Sequence, residues 1–122
     1  MSGPGEDAER RERKARILIA DDDPSMRELL TGLVQDLGYD AVAVPDAEAA
    51  LAAVAAQPPD LLLSDVAMPG LSGFSLCRRL KADPATRLIP VVLITEIGDE
   101  HKIEGIEAGA DDFLGKPFSQ GE

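Results

Sequence analysis

Short apolar runs alternate with stretches of helical period along most of this chain. Ile17 to Ala20 is uninterruptedly apolar, the pattern of a strand covered on both faces. Pro24 or Ser25 then opens a helix with Met26, Leu29, Leu30, Leu33, Val34 and Leu37 on one side, and Gly38 stands where a left-handed cap is wanted. Ala41 to Val44 predicts a second strand. Asp46 is suited to cap an Ala-rich helix from about Ala47 to Ala56, which Pro58 and Pro59 stop. Leu61 to Ser64 predicts a third strand running into Asp65, and Ser72 caps a helix carrying Phe74, Cys77 and Leu80. A fourth strand is predicted from Pro90 to Thr95, then a helix from about Asp99 to Ala108. A short fifth strand at Phe113 and Leu114 precedes Lys116 and Pro117.

Such alternation of strand and helix predicts an α/β fold, doubly wound, with a parallel sheet and helices on both faces. In these sheets ligands sit beyond the carboxyl ends of the strands. Residues 1–16 are charged and nearly free of apolar side chains, so they predict a disordered or frayed arm. Residues 17–122 then form one domain. A fifth helix would start near Ser119, with no room before Glu122, so that helix is predicted missing or truncated. The sheet face beneath it would then expose apolar surface, which favours association.

Composition narrows the function classes. The aromatic share is 3%, so the core must be aliphatic. No apolar run approaches the roughly 18 residues that span a bilayer, and the charged start lacks the apolar segment of a secretory signal. The single cysteine, Cys77, permits no internal disulfide, in keeping with a cytoplasmic location, and reads as a small core residue. A net charge of −11 repels nucleic acid and anionic membrane, so neither is expected as a direct partner. Most of the acids read as a solvated surface; those at strand ends stand apart.

The predicted strand ends collect a particular set of side chains. The first strand delivers Asp21, Asp22 and Asp23, the third Asp65 and the fourth Thr95, and Lys116 follows the fifth. Carboxylates converging on one edge repel each other unless a cation compensates. An oxygen-only set of this kind suits Mg²⁺. Thr95 offers a hydroxyl and Lys116 a mobile charge, both suited to phosphate oxygens. Nucleophile, metal ligands, hydroxyl and cation together are the parts that phosphoryl transfer needs. Each also has a plainer role: Asp21 to Asp23 as helix caps, Asp65 in a turn, Thr95 at a strand end, Lys116 in solvent. Their joint placement at successive strand ends favours the chemical one.

Four segments carry a resemblance: Ile17-Leu-Ile-Ala-Asp-Asp22, Leu61-Leu-Leu-Ser-Asp65-Val-Ala-Met-Pro69-Gly, Val91-Val-Leu-Ile-Thr95 and Gly109-Ala-Asp-Asp-Phe113-Leu-Gly-Lys116-Pro117-Phe. In order and spacing they resemble the receiver domains of bacterial two-component response regulators. The resemblance implies a flavodoxin-like five-stranded sheet of order 2-1-3-4-5 and a phosphorylation switch rather than a multiple-turnover enzyme. It implies that Asp65 accepts a phosphoryl group from a histidine kinase or phosphotransfer protein. Asp22 and Asp65 would bind Mg²⁺ directly, with the backbone carbonyl of Ala67, and Asp21 mainly through water. Thr95 and Lys116 would hold the phosphoryl oxygens. Phe113 stands at the aromatic switch position, where its movement with Thr95 would alter the surface of the fourth helix and fifth strand; it reads equally as a plain core residue. The Lys116–Pro117 peptide would be cis. An effector domain beyond this segment or a separate effector is implied, and a homodimer is compatible.

Two other readings compete. A haloacid dehalogenase-type phosphohydrolase would use Asp21 and Asp23, with Asp111 and Asp112 as its acidic pair, but Lys116 then falls on the wrong side of that pair. A receiver-like module that is never phosphorylated would typically have lost an acid or the lysine, and none is lost here. The lone His101 reads as a surface or packing residue. Ala67 and Ile97 stand at the two positions that tune hydrolysis in the family; being apolar, they cannot orient water and point to a long-lived phosphoaspartate. Glu96 follows Thr95 where relatives carry a small residue, and its charge should repel small phosphoryl donors, unless it swings harmlessly into solvent. Glu96→Ala is accordingly expected to speed phosphorylation by acetyl phosphate, followed by intact-mass time courses; an unchanged rate would remove Glu96 from the account.

Overall fold

The computed structural model describes residues 14–95 and 99–115, the side chains of 99–102 excepted. The elements follow in the order β1 (Arg16–Ala20), α1 (Pro24–Asp36), β2 (Asp40–Val44), α2 (Ala47–Ala56) and β3 (Leu61–Asp65), then α3 (Gly73–Ala82), β4 (Val91–Thr95), α4 (Asp99–Ala108) and β5 (Asp112–Gly115). The five strands form one parallel sheet in the order β2-β1-β3-β4-β5. Ile17 lies opposite Ala41 on one side and Leu61 on the other, and Thr95 lies opposite Gly115. Parallel pairing sends every strand exit to the same edge, where Asp21, Asp65 and Thr95 stand.

The helices start and stop where local chemistry directs. Asp23, Asp46 and Ser72 accept from the backbone N–H groups of Ser25, Ala49 and Ser75 at 2.9, 2.8 and 3.1 Å, each such cap contributing about 1 kcal/mol. Gly38 takes φ 96° at the end of α1, where its N–H donates to the Gln35 carbonyl and that of Tyr39 to the Val34 carbonyl. The first strand begins one residue earlier than the apolar run suggests. The Arg16 N–H donates to the Asp60 carboxylate at 2.7 Å, and its guanidinium donates to the Gln57 carbonyl. Residues 1–13 of the expected arm, and the region where a fifth helix would start, lie outside the described residues.

Side chains alternate across the sheet into two apolar layers. Leu18, Ala20, Leu62, Val91 and Leu93 pack with α2, α3 and α4. Ile17, Ile19 and Ile94 pack with Leu30 and Val34 of α1. Each fully buried aliphatic side chain is worth about 1.5–3 kcal/mol. The layers are unequal, because α1 is the one helix over the second face among the described residues. It touches the sheet through a narrow stripe, so the expected apolar side is only partly covered: Leu33 is 45% and Leu37 72% exposed. Leu114 on β5 is also exposed.

Cys77 is fully buried, and its thiol donates to the Ala108 carbonyl at 3.4 Å, tying α3 to α4. Burial, opposed in part by the Lys81 charge, pushes this thiol up to about 11, so it is an inert packing group. At the far edge of the sheet the Lys81 ammonium donates to the carbonyls of Arg87 and Ile89 and to Asp111 at 2.9 Å. The same Asp111 oxygen accepts from the Val91 N–H at 2.8 Å. Partial desolvation pulls the Asp111 pKa upward, but the bonds from Lys81 and Val91 and the lysine charge outweigh it and hold this carboxyl below its usual value.

A carboxyl with a lowered folded pKa stabilises the fold above its ordinary pKa of about 3.9 and loses that contribution as pH falls through the folded value. Asp111→Asn should therefore cost about 0.5–1 kcal/mol at neutral pH, small because the Asp111 side chain is half exposed. The deficit should shrink in urea titrations below pH ~3. An equal deficit at both pH values would show that the ion pair contributes nothing.

Candidate functional site

The acidic run after β1 divides its labour. Asp23 is the cap of α1, while its own N–H donates to Asp21 Oδ1 at 2.9 Å. Asp21 is completely buried and Asp22 exposed, consistent with a chain that turns away from the sheet between them. Asp65, only 6% exposed, ends β3. β3 is hydrogen-bonded to β1, so its exit stands beside that of β1. Asp21, Asp22 and Asp65 each offer a carboxylate oxygen, and these oxygens lie within 4.8 Å of one another. All the donors are hard oxygens on three carboxylates, which fits Mg²⁺ rather than a thiolate- or imidazole-seeking metal. Three of the residues picked out in the sequence are thus brought together, and the capping role falls to the fourth.

Thr95 ends β4, one residue beyond the partner of Asp65, which is Ile94, and is half-buried at the same edge. Ala67 is exposed, and its N–H reaches Asp65 Oδ1 at a long 3.4 Å. Phe113 lies on β5, half-buried and packed against the larger core layer. Lys116, the Lys116–Pro117 peptide, Glu96 and Ile97 lie outside the described residues, as does the side chain of His101. Asp111 and Asp112 do not join the acidic cluster. They stand at the opposite edge, where Asp111 is engaged by Lys81 and Val91, and this removes the acidic pair that a dehalogenase-type hydrolase would need.

Three further residues shape the site without having been singled out from the sequence. The Arg27 guanidinium donates to the Asp21 backbone carbonyl at 2.8 Å, fixing the β1–α1 turn and bringing a cation beside the acids. Buried Ser64 donates to the Asp65 carbonyl at 3.0 Å. Gly73 begins α3 directly over the loop that follows Asp65, its N–H bonded to the Val66 carbonyl. A Cβ there would collide with the Asp65 carbonyl oxygen and lie 3.0 Å from Asp65 C and Val66 Cα. The one sequence signal was the second glycine of Gly70-Leu-Ser-Gly73; nothing in a linear pattern shows that backbone presses on it.

With this geometry in view, comparison with known proteins is decisive. Residues 17–122 match the family described as the response regulator receiver domain. The chain belongs to that family. The receiver is 48% identical over 105 residues to the response regulator PleD of Caulobacter vibrioides, covering 85% of this chain and 23% of that protein. It therefore spans less than a quarter of that relative's length. Among solved structures, the chemotaxis response regulator CheY4 of Vibrio cholerae superposes with a TM-score of 0.83 at 32% identity, over 87% of this chain and 89% of that one. The receiver domain of a sensor histidine kinase from Pseudomonas aeruginosa PAO1 was solved with a magnesium ion coordinated in its active site cleft. It matches at TM-score 0.79 and 28% identity, covering 87% of this receiver and 88% of that chain. The five-stranded order and flanking helices are those of this family, and no described helix is long and apolar enough to cross a membrane.

Two glycine substitutions should separate site packing from helix propensity. Gly73→Ala is expected to lower unfolding free energy by about 1–3 kcal/mol through overpacking. Gly32→Ala, inside α1 with open space around its Cβ position, should raise it by up to about 1 kcal/mol. Urea denaturation of both variants checks the contrast, and a neutral Gly73→Ala would refute the close approach.

Proposed function

We propose that this receiver is a switch phosphorylated on Asp65 by a histidine kinase or phosphotransfer protein. The observation that carries the reading is the convergence of the Asp21, Asp22 and Asp65 oxygens at the exit edge of the sheet. An Asp65 carboxylate oxygen attacks the phosphorus of a phosphohistidine, the new P–O bond forms as the P–N bond breaks, and the imidazole leaves. Asp22 and Asp65, with the Ala67 carbonyl, would hold Mg²⁺ directly, and Asp21 through water. The bound ion supplies charge neutralisation that lets an anionic nucleophile meet an anionic donor. The magnesium ion in the Pseudomonas receiver supports that assignment.

The remaining roles belong to the chain's own groups. The Thr95 hydroxyl donates to a phosphoryl oxygen, and the Lys116 ammonium balances the added charge. Drawing Thr95 toward the phosphoryl group shifts the balance of the Phe113 ring toward its inward position, so the change reaches the surface of α4 and β5. Output then passes to an effector, either a domain beyond this segment or a separate protein. The acidic surface favours protein partners over direct contact with nucleic acid. The receiver takes a phosphoryl group and does not turn over substrate as an enzyme.

Acetyl phosphate with Mg²⁺ should add one phosphoryl group to the full chain, read by intact-mass spectrometry. EDTA should prevent the gain and Asp65→Ala abolish it, while Thr95→Ala should keep acceptance yet weaken the response of α4 and β5. A chain that gains no phosphoryl group from acetyl phosphate or from a phosphorylated histidine kinase would overturn the proposal.

A further inference from the structure

Helix α4 carries a glycine, Gly105, within its last two turns, where a flexible residue costs helix stability relative to alanine. Gly105 is buried, while Ile103 and Ile106 on either side of it are 64% and 61% exposed. The inward position has an occupant. A Cβ on Gly105 would collide with Phe113 Cε1, lie 2.7 Å from Cζ, and come within 3.2 Å of Leu93 Cδ1. The Phe113 ring therefore rests against bare helix backbone, on a floor made by Leu93. Leu93 sits two residues before Thr95 on the same strand, so the ring's seat and the hydroxyl end of the site share one rigid element. Among the described glycines, Gly105 is the one whose missing side chain is replaced by an aromatic ring; at Gly73 the intruder is backbone.

We infer that Gly105 is the positioning residue that sets the balance between inward and outward orientations of the Phe113 ring, and through it the ease of activation. The link to activation rests on the proposed phosphorylation of Asp65; the seat itself does not. A methyl at position 105 fills the space that the inward ring needs, and the ring is left to solvent. Since coupling between two sites is reciprocal, a receiver that cannot hold the ring inward binds a phosphoryl group, or its mimic, less tightly. The size of the residue at this helix position thereby tunes the switch without touching the acidic site.

The test uses the full chain labelled with para-fluorophenylalanine, with the Phe113 resonance identified by its loss in Phe113→Leu. In the unliganded state, Gly105→Ala should increase the solvent-isotope shift of the Phe113 resonance, reporting a more exposed ring. With Mg²⁺, beryllofluoride should bind Gly105→Ala roughly tenfold more weakly than wild type, within the usual range of allosteric coupling. The difference should vanish between Phe113→Leu and Gly105→Ala/Phe113→Leu. An unchanged fluorine shift in Gly105→Ala overturns the seat, and an affinity loss that persists without the ring overturns its role in activation. If Gly105→Ala does not fold, recovery of folding in the Phe113→Leu background upholds the steric conflict, whereas unfolding in both backgrounds refutes it. Wild type that fails to bind beryllofluoride overturns the Asp65 reading, while the fluorine shifts still decide the seat.

Discussion

Charge repulsion at the exit edge of the sheet is the constraint around which this receiver is arranged. Parallel pairing delivers Asp21, Asp22 and Asp65 to one place, with oxygens within 4.8 Å of each other. Like charges at such separations repel by on the order of 3 kcal/mol per pair at an effective dielectric of about 20. An isolated loop would relieve this by moving apart. Here it cannot, because Asp65 continues a strand paired on both sides and Asp21 leaves a strand whose residues Leu18, Ile19 and Ala20 are almost wholly buried. The apolar layers on either side of the sheet thus hold the carboxylates in an arrangement that electrostatics alone would disperse.

Smaller devices limit the cost. The first turn of α1 begins at Pro24, so the positive end of its peptide dipole stands beside the acidic run. Arg27, one turn on, adds a full positive charge while holding the Asp21 carbonyl. On the other side, the absence of a Cβ at Gly73 lets α3 start close against the Asp65 backbone, and Ser64 satisfies the Asp65 carbonyl from below. The opposite edge is stabilised by a separate knot in which Lys81 and Asp111 join α3 to the starts of β4 and β5. The molecule thus sets a lysine–aspartate knot at one edge of the sheet and its cluster of carboxylates at the other.

Much of this was legible in the residues because period and chemistry agree. Apolar runs marked all five strands, and Asp46, Ser72 and Gly38 announced helix ends that the structure reproduces. Asp65 and Thr95 were legible through their joint placement at the ends of successive apolar runs, since each alone has a plainer structural role. The run Asp21 to Asp23 was legible as a group but not residue by residue, since three identical side chains differ only in where the turning chain points them. Arg27, Gly73 and Gly105 escaped notice for a related reason: their importance lies in what approaches them from elsewhere in the fold. The exposure of Leu33 and Leu37 was hidden because helical period reveals an apolar side without showing how wide a surface meets it.

That narrow contact of α1 bears on how durable the site is. Proteins open piecemeal, and segments with little buried cover open most readily. Among the described residues the larger layer is shared among three helices, so its loss requires something close to global unfolding, while α1 rests on Leu30, Val34 and the partly buried Met26. Yet α1 begins with the cap at Asp23 and carries Arg27, the two contacts that shape the turn bearing Asp21. Fraying of this one helix would dissolve the acidic corner while leaving most of the sheet intact, so the site's persistence depends on local opening of α1 as well as on the stability of the domain as a whole.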